Sequence, residues 1–366
     1  MSIPPMDVAG RLGRLVPTLD DAGCDALLVT NLTNIRYLTG FTGSAGMLLV
    51  GADRAALFTD GRYQTQAAEQ LETAGVKADI SIGGLAAQRQ ALGDRAGGIG
   101  RLGLEAASVT WATQRMLDQE VLPSVELVPT VGLVEGLRRV KDAGEEARIA
   151  EAASIADRAL AEVLGLVAGG STEAEVGAAL DHAMRRLGAQ GPAFETIVAA
   201  GPNGAKPHAR PSTRRIEADD LVVIDFGAVY DGYRSDMTRT LCLGRPGPEA
   251  RRMHEVVVRS QAAGVAAVRS GVAAAEVDGV CRAVIAEAGW ADAFVHGTGH
   301  GVGLDIHEAP SVAATSTDTL EAGSAVTVEP GVYLAGAAGV RIEDTVVVTG
   351  DGCRTLTGFP KDMDPR

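Results

Sequence analysis

The chain lacks the marks of several common classes of protein, and each absence narrows what it can do. Only four cysteines occur in 366 residues, Cys24, Cys242, Cys281 and Cys353. They are widely spaced and form no C-x-x-C, so neither a disulfide framework nor a thiolate zinc site is indicated, and buried small side chains in a reducing compartment are expected. No run approaches the ~18 apolar residues of a membrane span, and the opening MSIPPMDVAGRLGRL lacks the basic-then-apolar layout of a signal peptide. A cytoplasmic protein is expected. Positive charge is also short: 33 Lys and Arg stand against 47 Asp and Glu, a net charge of −14. That balance argues against nucleic acid or an anionic membrane as partner. What is present is ordinary for a globular enzyme, with 46% hydrophobic and 22% charged residues and length enough for two domains.

Residues 1–132 read as an α/β unit. Hydrophobic periodicity predicts an amphipathic helix over Val8–Ala22, strands at Ala26–Thr30, Gly46–Val50 and Ala55–Thr59, and a helix over Tyr63–Ala74. A β-then-helix segment over Leu102–Leu117 and a closing strand at Val125–Val128 complete it. The stretch from Asn34 to Gly46 mixes aromatics with glycine and threonine and reads as a loop lining a cleft or interface. No cluster of acids or histidines appears in this half. A boundary is expected between Gly132 and Glu146, with a second domain over 140–366. There a long alanine-rich helix runs from Glu145 to about Leu166 and is ended by Gly169-Gly170, and Thr172-Glu-Ala-Glu175 is a capping box for a helix to about Leu187. A second helix pair is expected at Pro248–Ser270 and Ala274–Ala288. Strands follow each pair, so the order helix, helix, strands is written twice. Two such long copies are too few for a solenoid and suit an α+β domain with a pseudo-twofold repeat.

The strands of each copy carry acids. Leu221-Val-Val-Ile224 has the β-branched composition of a buried strand, and Asp231-Gly232 is a strong hairpin signal. A two-residue turn there sets Val229 opposite Arg234 and Asp225 opposite Thr238. Asp236 then becomes the diagonal neighbour of Asp225, with Cα atoms roughly 7 to 8 Å apart. The pattern returns in Ala325–Thr349, where Glu329-Pro-Gly overlies Asp225-Phe-Gly and Arg341-Ile-Glu-Asp-Thr overlies Arg234-Ser-Asp-Met-Thr. A loop over Ala335–Gly339 would set Glu329 opposite Thr345 and diagonal to Glu343, repeating the first geometry. Four converging carboxylates need a cation among them.

His300 lies between the acids in HGTGHGVG (296–303). This run matches neither G-x-G-x-x-G nor H-E-x-x-H, and its glycines suit close approach of backbone to ligand. His208 and His307 are the remaining candidates outside helices, whereas His182 and His254 fall on helices and read as ordinary residues. A set of four acids and one histidine suits two divalent ions, and oxygen ligands without sulfur favour Mn²⁺ over a structural zinc.

The motifs VIDFG, SDMTR, HGTGHGVG, VEPG and RIED resemble those of the pita-bread metallopeptidases, which include Xaa-Pro aminopeptidase, prolidase and methionine aminopeptidase. The resemblance covers Val140 to about Pro360. The amino-terminal half, with RYLTGFTGS and FTDGRY, is similar to the extra domain of the proline-specific branch. The resemblance implies a pita-bread catalytic domain over 140–366 with a pseudo-twofold repeat, preceded by a smaller creatinase-like α/β domain over 1–132. It implies two divalent ions per chain, Mn²⁺ first with Co²⁺ or Zn²⁺ as alternatives. Asp225 would hold one ion, His300 and Glu329 the other, and Asp236 and Glu343 would bridge them. His208, His296 and His307 would contact substrate and transition state, Arg341 would stand beside the site, and Glu329 would shuttle the proton. Two close cations can activate a shared water and polarise a scissile carbonyl.

Proline-containing peptides are the implied substrates, with Xaa-Pro aminopeptidase as the first reading and Xaa-Pro dipeptidase (prolidase) as the second. The family's prolidases often carry an arginine shortly after the His-Glu of this loop, and here Ala309-Pro310-Ser311 follow His307-Glu308. An inactive binding module on the same fold would be expected to have lost a ligand, and none is missing. The resemblance further implies a homodimer or larger assembly.

Overall fold

The structure, a computed structural model, describes residues 3–168, 170–242 and 244–364. Gly169, expected to help end a helix, lies outside the described residues. The chain divides into two units, Met6–Arg138 and Arg139–Arg366 with Met1–Pro5.

The first unit is built on a six-stranded sheet in the order Asp79–Ile82, Arg54–Thr59, Met47–Gly51, Ala26–Val29, Arg101–Glu105, Glu126–Thr130. Ala26–Val29 pairs antiparallel with Met47–Gly51 and parallel with Arg101–Glu105. All four of its residues are buried, as expected for a strand covered on both faces. One expectation is corrected here. The stretch from Asn34 is no loop at its start, because Leu32–Thr39 is an α-helix. The Asn31 side chain caps it by accepting from the Thr33 and Asn34 amides, and Gly40 ends it at φ 75°, the left-handed position that glycine adopts without strain. Asn34 is fully buried. Its amide group donates to Glu105 and Glu135, both at 2.7 Å, and its oxygen accepts from Arg138 at 2.7 Å. A side chain whose polarity suggested a loop instead locks the helix into the unit. Periodicity also gave no sign of strand Asp79–Ile82 or helix Leu85–Arg95, whose faces are largely exposed.

In the second unit the order helix, helix, strands does occur twice. Helix Ala143–Val167 starts at an Asp142/Glu145 capping box and helix Glu173–Arg186 at a Thr172/Glu175 capping box. Their apolar faces, including Ala156, Leu160, Val176 and Leu180, bury against Val198, Ile224 and Met237 of strands Ile197–Ala200, Val222–Phe226 and Met237–Leu241. Helices Pro248–Ala267 and Ala274–Glu287 bury Val257, Val277 and Ile285 against Val326, Val340 and Val346 of strands Ala325–Val328, Ala338–Arg341 and Asp344–Val348. Each repeat therefore has its own core. His182 and His254 lie on helices Glu173–Arg186 and Pro248–Ala267. No described helix is long and apolar enough to cross a membrane.

The first hairpin has the expected register, with Val229 opposite Arg234 and Asp225 opposite Thr238. The second does not. Thr327, rather than Glu329, stands opposite Thr345, and Leu334 pairs with Ala338, so the connection is Ala335-Gly336-Ala337 instead of Ala335–Gly339. Both ladders break where the acids sit. The first is interrupted at Gly227 and at Ser235-Asp236, and the second at Glu329-Pro330 and Ile342-Glu343. A proline has no N–H to give the ladder, and a Cβ on Gly227 would overlap the Ser235 carbonyl. Asp236, Glu329 and Glu343 fall at the breaks and Asp225 two residues from one, and all four line one cleft.

Candidate metal centre

The two hairpins meet along their second strands. The Glu343 amide donates to the Thr238 carbonyl at 3.1 Å, and the Thr345 hydroxyl donates to the Asp236 carbonyl at 2.8 Å. Thr238 Oγ1 also donates to Glu343 Oε2 at 2.7 Å. Each hairpin thus braces an acid of the other. Arg239, fully buried behind this seam, donates to the Glu343 carbonyl and to Asp344 Oδ1, the latter at 2.9 Å.

His300 lies on strand Gly299–Gly301, between Glu308–Val312 and Ala325–Val328. Glycine at 299 lets this strand close on the Thr327 carbonyl, where any Cβ would collide. The His300 amide donates to Thr327 Oγ1 at 3.1 Å, and its Nδ1 sits 3.0 Å from the Gly301 carbonyl. A carbonyl accepts only, so Nδ1 carries the proton and Nε2 presents a lone pair. That lone pair points at Glu329 Oε1, 3.4 Å away, and Asp236 Oδ2, 3.6 Å away.

Asp236, His300 and Glu343 each offer a ligand atom, and these atoms lie within 4.8 Å of one another. Asp225 and Glu329 line the same cleft, of about 620 Å³, without belonging to that tight trio. Asp225 Oδ2 accepts from Arg341 Nη2, and Glu329 Oε1 accepts from the Thr327 hydroxyl at 3.2 Å. Asp225 Oδ1, Asp236 Oδ1 and Glu343 Oε1 are buried and meet no donor among the described residues. Burial and then the neighbouring Glu343, Asp225 and Glu329 charges hold the Asp236 carboxyl well above its ordinary range. Burial, then Glu329 and Asp225, does the same to Glu343. Burial raises Glu329 to about 8, with Arg341 opposing and Asp225 adding to the rise. Among the described residues, Arg341 is the one cation buried among these carboxylates. Burial disfavours its charge, but Tyr333, Asp225 and Glu329 outweigh burial and keep it protonated. One guanidinium cannot serve four acids. Three orphaned carboxylate oxygens lining one cleft with the His300 imidazole fit a hard divalent cation, which would supply the missing charge and the missing contacts at once.

The other histidines separate into two kinds. His208 and His307 are exposed along the cleft, and the His307 ring stands edge-on to His300 with centroids 4.3 Å apart. His296 differs from expectation, because both its nitrogens are engaged. Nδ1 donates to the Gly297 carbonyl at 2.7 Å and Nε2 lies 2.8 Å from the Tyr333 hydroxyl. Burial raises the Tyr333 phenol to about 12 and lowers His296 to about 4. The phenol therefore keeps its proton and gives it to Nε2, while accepting from Arg341 Nη1 at 2.7 Å. His296 lines the same cleft and, as found, holds Tyr333. Tyr333 is the residue that sequence reading missed. Its only signal was an aromatic hydroxyl on the strand that follows Glu329-Pro330. Thr238 and Thr327, which hold Glu343 and Glu329, were visible only as neighbours of the acids.

Comparison with known proteins comes to the same region. Residues 147–350 match the model of metallopeptidase family M24, and residues 11–140 match the creatinase/prolidase N-terminal domain. An Xaa-Pro dipeptidase of Pyrococcus furiosus is 33% identical over 354 residues, 96% of this chain and 99% of that protein. Among solved structures, an Xaa-Pro dipeptidase from Bacillus anthracis superposes with a TM-score of 0.93 at 39% identity, covering 97% of this chain and 99% of the other. An X-Pro aminopeptidase from Thermotoga maritima superposes with a TM-score of 0.87 at 34% identity, covering 96% and 99%.

Proposed function

The chain belongs to metallopeptidase family M24, and we propose that within it the protein is an Xaa-Pro dipeptidase working with two divalent ions. Asp225, Asp236, His300, Glu329 and Glu343 would hold the ions, and the oxygen-rich donor set favours Mn²⁺ over Co²⁺ or Zn²⁺. The observation that carries this reading is that Asp236, His300 and Glu343 bring ligand atoms within 4.8 Å of one another in a cleft where Asp225, Asp236 and Glu343 each keep a buried carboxylate oxygen without a donor among the described residues. The dipeptidase relatives at 33% and 39% identity favour prolidase over the aminopeptidase expected first from sequence. The aminopeptidase stays the second reading because of the Thermotoga maritima likeness and because no arginine follows His307-Glu308. We also read the protein as a cytoplasmic homodimer or larger assembly, whose substrates are small proline-containing peptides.

Bound divalent ions supply Lewis acidity, which lowers the pKa of water and polarises a carbonyl. The chain's own residues do the rest. Glu329, in its carboxylate form, takes a proton from the attacking water and delivers it to the departing proline nitrogen as the C–N bond breaks. His208 and His307 stand where a ring N–H can meet the substrate carbonyl. Arg341 remains charged and holds Asp225, while the His296–Tyr333 pair holds Arg341. Proline brings no amide N–H, so a cleft wall without a backbone acceptor at that position loses nothing.

The test is to offer the manganese-loaded enzyme Ala-Pro, Ala-Pro-Ala and Ala-Ala-Ala. Ala-Pro is expected to be cut fastest. Faster release of alanine from Ala-Pro-Ala would move the reading to aminopeptidase, and equal cleavage of Ala-Ala-Ala would end proline selectivity. Light scattering showing a single chain at micromolar concentration would remove the dimer.

A further inference from the structure

A dipeptide that ends in proline places a carboxylate one residue beyond the scissile bond, and a cleft that selects dipeptides needs a cation there. The described residues lining this cleft include two arginines, Arg210 and Arg341, and no lysine. Arg341 is 2% exposed and committed to Asp225, Tyr333 and Thr238. Arg210 is the opposite case: its side chain is 81% exposed, and its Nε lies 3.2 Å from Glu195 Oε2 on the same cleft wall. Local packing aims it. Ala209 is buried in a small cluster with Ile197, Ala199 and Val223, so its neighbours His208 and Arg210 both turn outward into the cleft. The Pro207 carbonyl accepts from Arg341 Nη1 at 3.3 Å, which ties this segment to the arginine that holds Asp225.

The geometry points to Arg210 as the residue that receives the terminal carboxylate of an Xaa-Pro dipeptide. This rests on the dipeptidase reading and names its specificity determinant. A planar guanidinium takes a carboxylate through two parallel hydrogen bonds. The exposed pair with Glu195 is a weak hold that a substrate carboxylate can displace. Glu195 then sets the threshold: it keeps the guanidinium extended while the cleft is free, and competes with the incoming carboxylate.

The experiment compares KM and kcat of the full-length, manganese-loaded wild type with Arg210→Met, Arg210→Lys and Glu195→Gln on Ala-Pro, Ala-Pro-amide and Ala-Pro-Ala. Arg210→Met is expected to raise KM for Ala-Pro by roughly ten- to a hundredfold, the size of losing a charge-assisted hydrogen bond. The ratio of KM values for Ala-Pro and its amide should move by the same factor. Arg210→Lys should restore part of it, and Glu195→Gln should lower KM for Ala-Pro. An unmoved ratio in Arg210→Met, with Ala-Pro still cut, overturns the assignment alone. So does a KM effect confined to Ala-Pro-Ala, which would put the carboxylate one residue further out. A wild type that cuts no Xaa-Pro substrate overturns the peptidase reading and the assignment with it.

Discussion

The two hairpins bring the same number of acids to one cleft by different means. In the first, a two-residue Asp231-Gly232 turn sets Asp225 within a paired strand, opposite Thr238. In the second, a three-residue connection shifts the pairing, and Glu329 falls at a break while Thr327 takes the place opposite Thr345. The convergence therefore does not depend on register. It depends on the breaks in the ladders, which release the strand ends toward a common point, and on threonine hydroxyls that hold the carboxylates once they arrive. A hairpin can drift by two positions and keep its site if its kink stays beside its acid.

The sharpest way to break the equivalence of the hairpins is to remove one donor from each. Asp236→Asn and Glu343→Gln should each lower turnover on the order of a hundredfold or more and reduce bound metal measured by elemental analysis. A variant of one hairpin that retains full metal content and turnover would show that the two are not equivalent.

Metal removal comes next. Ions that bind only the folded chain stabilise it by mass action, and chelation should lower Tm on the order of 5 °C. The metal-free protein should also respond to pH in a stated direction. Glu329 has a folded pKa of about 8 against an ordinary 4.5, and Asp236 and Glu343 are raised as well. A raised carboxyl pKa means that the folded state holds a proton the unfolded state has released, so these groups remove stability as pH climbs from about 4.5 through about 8. Melting in chelator should fall across pH 5 to 8, and added Mn²⁺ should flatten or reverse the trend. A chelated protein that grows more stable over that window would contradict the buried, mutually repelling carboxylates.

Smaller effects separate the braces. Thr238→Val removes the donor to Glu343 Oε2 and an acceptor from Arg341 Nε, and should cost about 1–3 kcal/mol in urea denaturation of the metal-free chain. Thr327→Val removes a longer bond to Glu329 and should cost about 1 kcal/mol. The reverse order would mean that the second hairpin, not the seam, carries the site. Smallest are the turns. Gly232 and Gly336 have φ of 78° and 74°, and alanine at either should cost about 1 kcal/mol with kcat unchanged.

Much of the second unit was legible because its signals are local. The capping box at Thr172, the Asp231-Gly232 turn and the apolar faces of the helices each depend on residues a few positions apart, and the acids stand out by the repeat of their neighbours. The register of the second hairpin was not legible, because the alanine-glycine run over 335–339 can be crossed by more than one turn. Helix Leu32–Thr39 was passed over although Asn31 and Gly40 cap it locally, because the polar Asn34 read as a loop residue and its partners Glu105, Glu135 and Arg138 lie up to 104 residues away. The engagement of His296 was hidden for the same reason, since its partner Tyr333 lies 37 residues on.

The exchange of braces across the seam has a consequence for stability. Thr238 and Glu343 are 105 residues apart, and Thr345 and Asp236 are 109 apart, yet the first pair shares two hydrogen bonds and the second one. A change of carboxylate length in one repeat alters what the other repeat must offer. Along these crossed pairs a substitution in one copy removes a bond from the other, so the stability of each repeat is coupled to its partner's sequence.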